Sequence, residues 1–158
     1  KTAGDRHIFL SHQKKYMERK QNQQPSAAFI GASWVALLSG VSAYLIGLSN
    51  AEMQLNEKGY YFTVLMFGLF AAISVQKAVR DQLEDIPVTN LYYGIAWFST
   101  ILCIVLLTVG LWNADMTKSE KGFYAMSFVL SIFAAIAVQK NTRDMKGKDE
   151  KQKNESDL

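Results

Sequence analysis

The 158-residue sequence predicts an all-α integral membrane protein, with four transmembrane helices arranged as two tandem parallel helical-hairpin repeats. Three observations carry that prediction. Although 20% of the residues are charged, none lies in residues 21–51, 59–76, 86–114 or 122–139. An apolar stretch of about 18 or more residues without charge is long enough to cross a bilayer as a helix. Of the 17 Lys and Arg residues, 14 fall in the two tails and the central connection, all on one side of the expected spans. Finally, the two halves of the chain match at a constant offset of 63 residues.

Each element follows from its own residues. The first span is expected over residues 29–48, with Pro25 and Ser26 suiting a helix start. The second covers 59–76, the third 91–112 and the fourth 122–139. An 18-residue helix rises about 27 Å, so the second and fourth spans should stand steeply, while the longer first and third have length to tilt. The excess of basic residues on one side places both termini in the cytoplasm. Domain by domain, residues 1–27 form a basic cytoplasmic tail and 28–82 the first repeat. Residues 83–90 form a cytoplasmic linker, 91–145 the second repeat, and 146–158 a charged, disordered tail. The N-terminal tail reads equally as an amphipathic surface helix or as a flexible, orientation-setting segment.

Composition also excludes classes. Four spans leave no room for an independent soluble domain, and the net charge of +3 does not make a nucleic-acid module. Cys103 is the only cysteine and reads as a packing residue within the third span. No ionisable residue and no proline interrupts a span, so neither a proton relay nor the broken helices of many transporters are signalled. No catalytic constellation, metal site or cofactor is expected.

The repeat concentrates its identities in two motifs. NAEMQLNEKGYY at residues 50–61 aligns with NADMTKSEKGFY at 113–124, and FAAISVQKAVRD at 70–81 with FAAIAVQKNTRD at 133–144. Trp34 aligns with Trp97, and Gly47 with Gly110; about 20 of 53 positions agree without a gap, too many for chance likeness of apolar segments. Two hairpins packed side by side, related by an axis along the membrane normal, are expected. These motifs resemble the YiaA/YiaB family across roughly residues 29–144. The resemblance implies a bacterial inner-membrane protein with a tandem two-helix domain; it implies no activity.

Both motifs admit two readings. In the loop motif, Asn50, Glu57, Lys58 and Gly59 repeat as Asn113, Glu120, Lys121 and Gly122. The preferred reading is capping. Asn56 and Ser119 would cap the second and fourth helices, with Glu57 and Glu120 in the first turn, while Asn50 and Asn113 take a left-handed C-terminal cap. Gly59 and Gly122 would admit close approach of the loop. The alternative is a small polar site on the periplasmic face. In the inner motif, Gln76, Lys77 and Arg80 repeat as Gln139, Lys140 and Arg143, with Lys77–Asp81 and Lys140–Asp144 at pairing distance on the helix. A positive-inside anchor is preferred over basic forks that hold anionic lipid head groups or a phosphorylated ligand.

The functional expectation is a non-enzymatic inner-membrane component that binds lipid or protein. Membrane lipids, anionic ones included, and further copies of the chain are its expected partners, and nucleic acid is not. Small-residue faces, such as Ser39, Ala43 and Gly47, invite the helix contacts of a homo-oligomer. The rival expectation is a small transporter or channel-like protein acting as an oligomer, which would need a polar line through residues such as Ser42, Thr63, Thr100 and Thr108.

Overall fold

The computed structural model describes residues 25–156 and contains four helices: α1 (Ala27–Asn50), α2 (Leu55–Leu83), α3 (Asn90–Asn113) and α4 (Lys118–Ser156). Each contains an apolar stretch long enough to cross a membrane. The N-terminal tail lies outside the described residues. Short polar caps start the odd helices: the Phe29 amide donates to Ser26 Oγ at 3.2 Å, and the Tyr92 amide to Thr89 Oγ1 at 3.3 Å.

Helix α2 runs seven residues past Gln76 and stops at a defined device. Asp85 takes a left-handed conformation at φ 56°, and the Ile86 amide reaches back to the Asp81 carbonyl at 2.8 Å. This is a Schellman closure with aspartate where glycine is usual, and Pro87 then prevents resumption of the helix. Helix α4 is longer than expected as well. The segment 146–158, read from sequence as a disordered tail, continues as helix through Ser156.

The sequence repeat is not the packing unit. Two hairpins side by side were expected, yet α1 packs chiefly on α4 and α2 on α3, while α1 and α2 touch lightly. A pseudo-dyad along the bundle explains this pattern. It carries α1 onto α3 and α2 onto α4, so the α1–α4 contact and the α3–α2 contact are one interface used twice. The second helix of each repeat meets its twin near the axis and is the more buried of the two.

The registers agree residue by residue. Helix α1 buries Ser33, Gly40, Tyr44 and Leu48; α3 buries Ala96, Cys103, Leu107 and Leu111, each at the 63-residue offset. Spacings of seven and four are those of helices meeting at a shallow angle. The repeated glycine pair has its reason here. A Cβ at Gly47 would lie 2.6 Å from the Phe123 ring, and one at Gly110 would lie 2.7 Å from Tyr60. Residues 60 and 123 are themselves equivalent, so each repeat seats an aromatic ring on the other repeat's glycine.

At the loop end of the bundle an aromatic cluster closes the core. Tyr61 and Tyr124, twins across the axis, stack with centroids 5.9 Å apart and planes at 22°. Tyr44 meets Tyr124 edge-on at 5.3 Å, and its hydroxyl donates to the Tyr61 carbonyl at 3.1 Å. Around this core the membrane-facing surface is apolar, with Val35, Leu38, Phe70, Phe98, Val129 and Phe133 all exposed. In water such a surface would be an aggregation liability, and in lipid it is the outer coat.

Candidate functional site

The sequence motifs lie at opposite ends of the bundle, and the two ends differ in kind. At the loop end the repeated residues mostly fix chain direction. Asn56 and Ser119 are not the caps; both sit inside the first turns, and the caps are Gln54 and Thr117. Glu57 accepts from the Gln54 amide at 2.9 Å, and Glu120 from the Thr117 amide at 2.7 Å. Thr117 Oγ1 accepts in turn from the Glu120 amide at 3.3 Å, closing a capping box. The Thr117 hydrogen bonds hold the Glu120 carboxyl, which lies before the charge-free span, below the usual carboxylate range.

The asparagines do not take left-handed caps either. Asn50 and Asn113 end their helices, and the following residues, Ala51 and Ala114, are extended at φ −66° and −69°. The lysines supply what the asparagines were expected to supply. Lys58 Nζ donates to the Ser49 carbonyl at 2.9 Å, and Lys121 Nζ to the Trp112 carbonyl at 3.3 Å, equivalent atoms in the two repeats. A cation on the last-turn carbonyls also complements the helix dipole. A Cβ at Gly59 or Gly122 would meet nothing within 4 Å, so neither glycine serves close approach of the loop.

The loops do form one concavity, a pocket of about 280 Å³ between them, reached by Glu52, Glu57, Asn113 and Asp115 and floored by Tyr61 and Gly110. Of the predicted loop residues only Asn113 and Glu57 line it. Among the described residues no group of three His, Cys, Asp or Glu is placed to hold a metal ion.

At the opposite end, where α1 begins and the α2–α3 linker lies, the two repeats converge. Asp81 is buried, and its carboxylate takes Lys77 Nζ at 2.7 Å and Arg80 Nη2 at 2.9 Å. The Lys77 hydrogen bond holds the Asp81 carboxyl, beyond the charge-free span, below its ordinary range. Glu84, from the turn that ends α2, bridges the repeats: it lies 3.7 Å from Arg80 Nε and 3.4 Å from Arg143 Nη2. The second half is not a copy of the first. Asp144 meets Arg143 at 4.0 Å, and the expected Lys140–Asp144 pair does not form. Lys140 stays exposed.

Beneath this charged layer lies a polar one. Gln76 Nε2 donates across the axis to the Ile136 carbonyl at 3.2 Å, while the Oε1 atoms of Gln76 and Gln139 are buried with no protein partner. Asn141 is 1% exposed and donates to Ser33 Oγ at 3.0 Å, joining α4 to α1; its Oδ1 also lacks a partner. Sequence reasoning missed Glu84, Asn141 and Ser33. Asn141 departs from the repeat, because its twin is Ala78 and that of Ser33 is Ala96, both buried. A polar pair standing where the other repeat has two alanines is the signal that could have found them.

Four apolar helices generated by a duplicated two-helix unit define a multi-pass α-helical membrane protein. The sequence model of the yiaA/B two helix domain matches residues 29–81 and again 92–144, and the chain belongs to that family. It is 59% identical over 119 residues to the inner membrane protein YiaA of Escherichia coli strain K12, covering 75% of this chain and 82% of that protein. The inner membrane protein YiaB of the same organism is 31% identical over 97 residues, 60% of this chain and 80% of YiaB. The uncharacterized membrane protein YubF of Bacillus subtilis strain 168 is 38% identical over 68 residues, 42% of this chain and 78% of YubF. No solved structure matches the chain.

Proposed function

We propose that the protein is a non-enzymatic component of the bacterial inner membrane, with both tails in the cytoplasm, that binds anionic phospholipid head groups at its tail end. The observation that carries this reading is the convergence of Arg80 and Arg143, one from each repeat, on a single shared carboxylate. Lys77, Arg80, Lys140 and Arg143 stand with the carboxylates Asp81, Glu84, Asp85 and Asp144 at this end, and among the described residues Lys140 makes no ion pair. Arg143 is only partly covered and Lys140 is open, so both can reach a phosphate from the neighbouring leaflet. The N-terminal tail, with six basic and two acidic residues in 1–27, adds to the same field.

Two measurements test the reading. For orientation, single cysteines at Gln54 and Asn154 are treated with a membrane-impermeant thiol reagent in intact cells. Labelling at 54 and not at 154 is expected, and the reverse pattern would invert the topology. For binding, the full chain is purified in mild detergent and its retained phospholipid measured by native mass spectrometry. Arg143→Gln with Lys140→Gln should lower retained phosphatidylglycerol at least threefold while leaving phosphatidylcholine added in parallel unchanged. Equal retention by both proteins would sink the head-group assignment.

The transport alternative draws no support from side-chain placement. Ser42, Thr63 and Thr108 are exposed on the membrane-facing surface, and Thr108 spends its hydroxyl on the Ile104 carbonyl of its own helix at 2.8 Å.

A further inference from the structure

Because each repeat packs on the other, α3 and α4 are joined by a short loop yet diverge from one another, leaving a cleft between them. It measures about 260 Å³ and is floored by Gly68 and Ala72 of α2, with Ile104 on the α3 wall and Val129 and Ile136 on the α4 wall. Its depth depends on Gly68. A Cβ there would already lie 2.7 Å from Phe128 Cζ and 2.9 Å from Cys103 Sγ, so any larger residue would raise the floor. The polar side chains of its lining are turned away: Thr100 donates to the Ala96 carbonyl at 3.1 Å, and Cys103 Sγ to the Val64 carbonyl at 3.2 Å. The lining is therefore hydrocarbon-like.

The cleft is continuous with the charged layer. At 100° per residue, Gln139, Lys140 and Arg143 continue the face of α4 on which Phe128, Val129, Ile132 and Ile136 stand. Gln76 is bonded to the carbonyl of Ile136, the innermost lining residue, so the polar layer begins where the cleft ends. From Phe128 to Lys140 the helix rises about 18 Å, close to the roughly 15 Å depth of one leaflet's hydrocarbon.

We infer that the α3–α4 cleft seats one acyl chain of a cytoplasmic-leaflet anionic phospholipid whose phosphodiester lies against Lys140 and Arg143. The inference rests on the head-group reading above and adds the seat for the chain. One molecule then bridges the repeats, with its tail on α2, α3 and α4 and its head beside the Arg80–Glu84–Arg143 junction.

The test uses the intact protein reconstituted with phosphatidylglycerol carrying a diazirine near the middle of one acyl chain. After irradiation, adducts are mapped by peptide mass spectrometry. Adducts should concentrate on α3 near Ile104 and on α4 near Val129, and unlabelled phosphatidylglycerol should compete better than phosphatidylcholine. Ile104 and Val129 are 55% and 59% exposed, so Ile104→Trp or Val129→Trp fills the cleft from its rim without entering the core. Either variant should lower cleft adducts at least threefold. Adducts spread evenly over the coat, Val35 and Leu38 of α1 included, or unchanged in both tryptophan variants, would overturn the seat. Cleft adducts competed equally by phosphatidylcholine would instead overturn the head-group reading and leave the acyl seat standing.

Discussion

Gly40→Leu is expected to destabilise the bundle by about 3 kcal/mol, at the upper end of what overpacking a filled core usually costs. The reason is the nature of the obstruction. A Cβ at Gly40 would stand 2.8 Å from Ser131 Oγ and 3.0 Å from the Ser131 backbone nitrogen. A side chain can rotate away, but a backbone nitrogen inside α4 cannot move without shifting the whole helix. The hydroxyl is no easier to displace, since Ser131 is fully buried and donates to the Ser127 carbonyl at 2.7 Å. Gly31 is the internal control, nine residues earlier on the same helix, where a Cβ would meet nothing within 4 Å. There the same change should be neutral or stabilise by up to about 1 kcal/mol, because leucine is the better helix former. Unfolding followed by circular dichroism in a fixed detergent, with increasing denaturing detergent, compares the two. Similar behaviour of Gly40→Leu and Gly31→Leu would mean that α1 does not approach α4 at this point.

The Gly40–Ser131 contact has a twin that shows why the repeat diverged where it did. At the offset of 63, Gly40 corresponds to Cys103 and Ser131 to Gly68, and Cys103 lies against Gly68. Each interface therefore holds one glycine and one small polar residue, with the glycine on the first helix in one case and on the second in the other. Packing constrains the pair and not either member. An alignment of the two halves reports two unrelated substitutions at these positions, since it compares residues with their twins and never with their contacts.

That distinction sets how far the sequence could be read. Spans were legible because an uncharged window is a one-dimensional property, and the four expected spans, 29–48, 59–76, 91–112 and 122–139, fall within the four helices. The loop motif was legible as capping, but two residues too late. Asn56 and Ser119 are favourable cap types, whereas Gln54 is a less usual one, supported by Glu57 reaching back to its amide. The end of α2 was not legible, since aspartate at the left-handed position of a Schellman closure lacks the usual glycine. Nor was the convergence of Arg80 and Arg143 on Glu84, which requires knowing that the second helices meet at the axis. Adjacency in sequence favoured hairpins as packing units. The shallow twist of the bundle and the glycine seats for Tyr60 and Phe123 favour the exchange.

That exchange makes a sharper prediction than any single substitution, because it sets four pairs of positions against one another. Asn141 Nδ2 lies 3.0 Å from Ser33 Oγ, so cysteines replacing both should oxidise to a disulfide between α1 and α4. The pseudo-dyad carries this pair onto Ala78 and Ala96, where cysteines should likewise link α2 to α3. Within a repeat the combinations are Ser33 with Ala78, and Ala96 with Asn141; these join the hairpin partners and should not form. All four variants are made with Cys103→Ser, which keeps a donor for the Val64 carbonyl. After mild oxidation in membranes, the linked peptides are counted by mass spectrometry. Linkage in the two between-repeat pairs far above that in the two within-repeat pairs is expected. Comparable linkage within the repeats would restore the hairpin as the packing unit and dissolve the axis on which the Arg80–Glu84–Arg143 junction depends. If the exchange holds, one repeat alone cannot bury the faces of its own helices, because each face is shaped for the other repeat's glycine or ring. The duplication then joins, in one chain, two units that complete each other's core.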